Sequence, residues 1–490
     1  MQKFTRKTVS LLLALIIMLA NAFAVSAVSE FVPIRATFED AGADVDWEED
    51  GGRITVILED FTFVFFAGSR NAYVNGVTVT LQNSVFIQND RSFIHQADVN
   101  ILMQAFAEGG IAPISDEAAS FTSEEVVIGE GGRWPLGGTL TLPEGASAGS
   151  PVPAVLLVHG SGPGDRDLTV GTNRAFYDIA DYLSRNGIAV LRYDKRTLVH
   201  GVALIEEFGI NHAGFVDGGF TVWEETIEDA VLAAELLRAD SRIDSGRIYM
   251  AGISLGGMLA PRIHASGGDF AGLIMLAGSP RLLPEIIADQ ERNDLAFQRA
   301  MLEPQAELLE MLIETEDFDM LRALDPATQD MDDDTIMELL LAMHSEFDGF
   351  LQLFAEAEEA VEAFLVASAA VVYMSAEEAL DASVGVWPAY VLRDMALNPT
   401  PDLLAETTVP MLILHGDNDL QIFTDADFML YQELLGYRDN VVFRLYPGLN
   451  HFFMPSVASS LAEAAMEMDM IPAQVYYQVL RDIVDWVLAH

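Results

Sequence analysis

From Val152 onward the chain alternates between two textures, and this alternation restricts its fold more than any other feature. Six short apolar runs, "VPAVLLVHG", "GIAVLRYD", "RIYMAG", "AGLIMLAG", "VPMLILHG" and "NVVFRLYPG", have the length and composition of buried strands. Segments with apolar residues at helical spacing separate them, among them "AFYDIADYLSRNG" and "TIEDAVLAAELLRAD". Parallel neighbours need a crossover, and crossover helices cover the sheet, so the pattern predicts a mostly parallel sheet buried on both faces. "EEVVIGEGGRWPLGGTLTLPEG" reads as a hairpin entering that sheet. Between residues 280 and 404 the alternation stops, and a stretch rich in Ala, Leu, Met and Glu takes over with helical periodicity. Ligand sites in open sheets lie outside the carboxyl ends of the strands, so an insertion there is expected to act as a helical cap.

The start of the chain has a different character. Lys3, Arg6 and Lys7 precede an apolar run from Leu11 to Ala20, followed by small residues at Ala22-Phe23-Ala24 and Val25-Ser26-Ala27. Residues 1–27 therefore read as a secretory signal peptide, with a secreted or extracytoplasmic location expected and cell-surface association one form of it. Residues 28–110 carry short alternating runs, "RITVILED", "FTFVFFAG", "AYVNG" and "VTVTLQ", and read as a small α+β module. Asn75-Gly76 tolerates the positive φ of a tight hairpin turn. A polar stretch at 111–120 reads as a linker to a second domain over 121–490.

Composition removes several function classes. With 75 acidic and 26 basic side chains the net charge is −49, a field that repels nucleic acid and anionic lipid. There is no cysteine, so a disulfide framework, a thiol nucleophile and a thiolate metal site are all excluded. Lysine occurs only at positions 3, 7 and 195. Lys195 would be the sole lysine after signal removal, and a salt bridge to Asp165 or Asp167 is expected to hold its loop.

The motif carrying chemistry is "AGISLGG", with Gly252, Ser254 and Gly256 in G-x-S-x-G spacing between a strand run and a helical run. A serine on such a turn is forced outward at the top of the sheet, where the new helix points amides at a bound oxygen. The hydroxyl needs a base. His159 and His415 close strands and shape loops; His95 lies in the first module, His344 in the insertion and His490 at the terminus. His200 and His212 occupy a polar rim segment, and His264 sits too far along the serine's own helix. His451, in the turn of "YPGLNHFFM", remains. The acid should end the preceding strand, where "LHGDNDLQI" offers Asp417 and Asp419. Asp419 lies farther round the loop, whereas Asp417, directly after Gly416, suits a turn cap. Leu255, following the serine, supplies one oxyanion amide; Ser161 in "HGSGPGDRD" is the favoured second donor, with Gly162 behind it.

In "HGSGPGDRD", "GIAVLRYDKR", "GISLGGMLAPRI", "LHGDNDLQI" and "YPGLNHFFM" the chain resembles the alpha/beta-hydrolase superfamily, nearest its bacterial secreted esterases of the dienelactone hydrolase-like and serine aminopeptidase-like kind. The resemblance implies an α/β fold with a mostly parallel central sheet and a helical cap insertion, preceded by the small α+β domain. It also implies Ser254 as nucleophile, Asp419 as acid and His451 as base. Where relatives often have histidine before the serine, this chain has Ile253. "FVPIRATFEDAGADVDW", "GSRNAYVNGVTVTL" and "NDRSFIHQADVNILMQAF" resemble the copper amine oxidase N-terminal-like domain. His95 has no obvious partner ligands, so copper is not inferred, and the module suggests attachment to a cell-wall or surface component.

The expected reaction is acyl transfer from a small neutral or apolar ester to water, with no metal or organic cofactor. An aminopeptidase or small-peptide hydrolase using the same triad, and a non-catalytic surface-binding protein, are the alternatives.

Overall fold

The computed structural model describes residues 31–102, with short breaks between elements, and 120–490 apart from 211–215, 325–327, 330, 457, 471 and 472. The signal-peptide reading, most of the linker and His212 lie outside the described residues.

An eight-stranded sheet forms the centre of the second domain. Its strands are β1 (Phe121–Ile128), β2 (Leu136–Pro143), β3 (Val152–Val158), β4 (Ala189–Tyr193), β5 (Ile243–Ile253), β6 (Gly272–Leu276), β7 (Met411–Gly416) and β8 (Val441–Tyr446). Their spatial order is β1-β2-β4-β3-β5-β6-β7-β8. The pairs β1–β2 and β2–β4 are antiparallel, and every later pair is parallel.

Each central strand divides its side chains between two cores, as a period of two requires. In β3, Val155 and Leu157 enter one core while Ala154, Leu156 and Val158 enter the other. The first core is closed by the helices Ala175–Arg185 and Tyr477–Ala489, through residues such as Phe176, Leu183, Ile483 and Trp486. The second is closed by Glu228–Ala239, Leu255–Ile263 and Met429–Leu435, through residues such as Leu237, Leu259 and Tyr431. Burial on both faces explains why the strand runs lack polar alternation.

The register brings the carboxyl ends of the strands to one edge. Val158 pairs with Gly252, Ile253 with Leu276, Leu276 with Leu414, and Gly416 with Tyr446. From β3 the chain passes to β4 on one side and then to β5 on the other. The order therefore reverses at β3 and β5, where an open sheet leaves a crevice.

The insertion joins β6 to β7 and is helical. Its ends, including residues 283–290 and the short hairpin Ser383–Val384/Trp387–Pro388, belong with the sheet region. Residues 291–363 form a separate unit with their own apolar core, in which Leu309, Leu312, Phe318, Leu339 and Phe347 are buried.

In the N-terminal module, five antiparallel strands from Asp44–Glu48 to Val77–Thr80 follow one another as a meander. Val74 pairs with Val77, so Asn75-Gly76 occupies the two-residue connection. The helix Ile34–Asp40 places Ile34 and Phe38 against Val56, Phe63 and Phe65.

Candidate active site

Strand β5 ends at Ile253 and the next helix begins at Leu255, leaving Ser254 as the hinge with φ 54° and ψ −121°. A side-chain-bearing residue at positive φ is strained and persists only where its surroundings hold it. Here the Ser254 amide donates to the Leu276 carbonyl at 2.9 Å, and its carbonyl accepts from the Met258 amide at 2.9 Å. The flanking glycines are needed for space. A Cβ on Gly252 would lie 2.3 Å from the Gly256 carbonyl oxygen, and one on Gly256 would lie 2.5 Å from that of His159. The turn therefore brings the serine close to the loop after β3.

The loops after β7 and β8 bring Asp419 and His451 together. His451 Nδ1 lies 2.7 Å from Asp419 Oδ2, with both side chains buried. Against a carboxylate, Nδ1 is the donor, so the neutral ring leaves Nε2 able to take a proton. The other Asp419 oxygen, Oδ1, accepts from the Gln421 and Ile422 amides at 2.8 and 3.0 Å. Asp417 does different work, with Oδ1 accepting from the Gly448 amide at 2.5 Å and bracing the turn after β8. Asn450 closes the histidine turn by accepting from the Phe452 and Met454 amides. Among the described residues the Ser254 hydroxyl donates no hydrogen bond to His451.

Four other histidines have local roles. His159 Nε2 binds the Asp165 carbonyl at 2.7 Å, and burial pushes its pKa down to about 4, leaving it neutral. His415 is buried and stacked on Phe428, and burial lowers its pKa too. His200 meets the Pro135 carbonyl and His264 accepts from the Phe270 amide.

A cavity of about 480 Å³ opens beside Ser254. Ser161, Gly162 and Leu255 lie on its wall, as do Gln421 and Ile422, whose amides hold Asp419. Both ends of the insertion contribute apolar surface, through Leu283, Ile286, Trp387 and Val391. Leu255 is the first residue of its helix, so its amide has no intrahelical partner. The Gly162 amide, at φ 77°, is already donated to Glu225 Oε1 at 3.2 Å. Of the two candidate donors on this loop, Ser161 is the one whose amide is not given to Glu225. Another lining serine, Ser279, gives its hydroxyl to Asp427, which Arg281 also binds.

The expected partners of Lys195 need correction. Asp167 is taken by Arg192 at 2.8 Å and approached by Arg174, while an Asp165 oxygen accepts from the Thr169 amide. Lys195 pairs instead with Glu225, at 2.6 Å. Glu225 is the sole ionisable side chain lining the cavity among the described residues, and sequence reasoning missed it. Nothing in "TVWEETIED" separates it from Glu224, which merely accepts from Thr221. The only available signal was a lone lysine in need of an acid.

The matches to family models agree with this architecture. Residues 155–464 match the model of the alpha/beta hydrolase family, and residues 20–105 match that of the copper amine oxidase N-terminal domain. The esterase EstD of Thermotoga maritima is 29% identical over 346 residues, an alignment that spans 71% of this chain and 65% of the relative, just under two thirds of its length. Among solved structures, Est1E from Butyrivibrio proteoclasticus aligns with a TM-score of 0.39 and 15% identity, over 75% of this chain and 99% of that one. A hyperthermophilic esterase from Pyrobaculum calidifontis aligns with a TM-score of 0.36 and 14% identity, over 79% and 93% of the two chains.

Proposed function

The chain belongs to the alpha/beta hydrolase family, and from that premise we propose that it is a serine hydrolase that cleaves carboxylic esters through a covalent acyl-enzyme. The observation carrying this reading is the strained Ser254 on a cavity wall whose neighbouring loop holds a buried, 2.7 Å Asp419–His451 pair. The esterase relative supports the choice of an ester.

In the proposed reaction Ser254 Oγ attacks the ester carbonyl carbon while His451 Nε2 takes its proton. The carbonyl oxygen becomes an oxyanion held by the Leu255 and Ser161 amides. Collapse breaks the bond to the alkoxy group, which leaves as alcohol with the proton from His451. Water then attacks the acyl-serine, again giving its proton to His451, and the second collapse returns that proton to Ser254. Asp419 keeps the ring in the donating Nδ1–H tautomer and stabilises the imidazolium. The reaction needs the Ser254 hydroxyl to donate to His451 Nε2, a kind of contact that often tightens only in the complex.

The cavity favours an ester over a peptide with a free amino terminus. Holding an ammonium group would require an unpaired carboxylate, and the lining acid Glu225 is neutralised by Lys195. Size and apolar lining suit a neutral ester with a medium acyl chain or an aromatic ring.

The test is labelling with a fluorophosphonate, run beside turnover of p-nitrophenyl butyrate and of amino-acid arylamides. The expected result is labelling at Ser254, ester turnover well above arylamide turnover, and loss of both labelling and at least about 10⁴-fold of kcat in Ser254→Ala. A Ser254→Ala protein that keeps the parental rate rejects the nucleophile, and arylamides cleaved faster than esters reject the substrate class.

A further inference from the structure

The reaction above leaves Lys195 without a part, although its side chain is among the most enclosed charged groups in the protein. It is 1% exposed and donates to the Gly160 carbonyl at 2.5 Å and to Glu225 Oε1 at 2.6 Å. Its own backbone amide donates to the Gly164 carbonyl at 2.9 Å. Glu225 Oε1 in turn accepts from the Gly162 amide. One ion pair therefore grips the chain on both sides of Ser161.

Stability alone does not account for such a pair, because desolvating two charges offsets most of their attraction. Its distinctive product is geometry. The segment "HGSGPG" alternates glycine through its length and has few side chains of its own to anchor it. An oxyanion donor accelerates a reaction only when it is aimed before charge develops, so a loop of this composition needs an external hold. Glu225 also reaches this loop from a π-helical turn, Trp223–Ile227, a local widening that occurs frequently at functional sites. Without Lys195 its negative charge would face the cavity in which the oxyanion forms.

We propose that the Lys195–Glu225 ion pair is a positioning device that holds the Ser161 amide in the oxyanion hole and cancels the carboxylate charge beside it. The inference rests on Ser254 being the nucleophile. It assigns Lys195 a role in turnover rather than only in loop stability.

The test uses the full chain and the double variant Lys195→Met/Glu225→Leu, which leaves neither charge buried alone. With p-nitrophenyl butyrate, kcat is expected to fall about 30- to 100-fold while KM stays within about threefold. Affinity for a trifluoromethyl ketone that forms a tetrahedral adduct should fall in step with kcat. Glu225→Gln, which keeps an oxygen for the Gly162 amide, is expected to lose less than about tenfold. Glu225→Leu alone should lose more than Glu225→Gln, again in kcat. A folded double variant with kcat within about threefold of the parent, or a loss carried by KM, overturns the inference. If the double variant does not fold, equal kcat values for Glu225→Leu and Glu225→Gln overturn it. Labelling of the parent at Ser254 separates the two failures: an unlabelled parent defeats the nucleophile reading, whereas a labelled parent with an unimpaired variant defeats only the positioning role.

Discussion

Two aspartates two residues apart illustrate how different the contacts of neighbouring carboxylates can be. Asp419 turns one oxygen to His451 and the other to two amides, whereas Asp417 binds the Gly448 amide and ties β7's loop to β8's. Asp419→Asn keeps an oxygen for the amides but presents the ring with a partner that no longer fixes the tautomer or supports the imidazolium. We expect kcat to fall by about 10⁴-fold with a melting temperature close to parental. Asp417→Ala should lose about 1–2 kcal/mol of stability with kcat within about tenfold. Measuring kcat and thermal unfolding for both variants checks the assignment, and a reversed pattern would move the acid to Asp417. The preference for Asp419 could be read from the sequence only weakly. Spacing along a loop does not say which carboxylate turns inward, and the resemblance carried most of the weight.

At the scale of elements, the sheet and its helices are held by apolar burial, with a few charges trapped at the seams. Asp178, on the helix Ala175–Arg185, accepts from the Val475 amide just before the C-terminal helix, at 3.0 Å. Burial raises its pKa to about 6 against this hydrogen bond and the pull of Arg174. A raised carboxyl pKa means that the folded state prefers the protonated form. The associated stability is fully present below the ordinary pKa near 4 and is lost as pH rises through about 6. Asp178→Asn does not titrate. Its stability relative to the parent should therefore increase between about pH 4 and pH 7, by up to about 3 kcal/mol. Denaturant unfolding of both proteins across that range would show it, and a difference independent of pH would refute it. The helical insertion teaches a related lesson. Its periodicity was legible as helix, but its division into ends that line the cavity and a middle with its own core follows from contacts that periodicity does not encode.

For the molecule as a whole, charge is the strongest influence outside the cores. With 75 acids against 26 bases, most carboxylates have no cation to pair with, and mutual repulsion opposes the compact state. Salt shortens the reach of that repulsion, from about 10 Å at 0.1 M to about 3 Å at 1 M. Raising sodium chloride over this range should lift the melting temperature by several degrees. A melting temperature that falls would mean that the surface ion pairs outweigh the repulsion.

The alternating architecture and the serine turn were legible before folding, because each is written locally: a period in one case, a pair of glycines between a strand run and a helical run in the other. Strand pairing and side-chain direction follow from such patterns once both faces of the sheet must be buried. The pairings of charges, by contrast, emerged only in the folded chain. Lys195 passes over the nearby Asp165 and Asp167 because Arg174 and Arg192 occupy Asp167, while Asp165 is turned to its own loop. It meets Glu225, thirty residues away along the chain, beside the glycines that flank Ser161. A charge has no periodicity to betray its partner. Its choice is set by which opposite charge shares its enclosure, and enclosure exists only after the chain has folded.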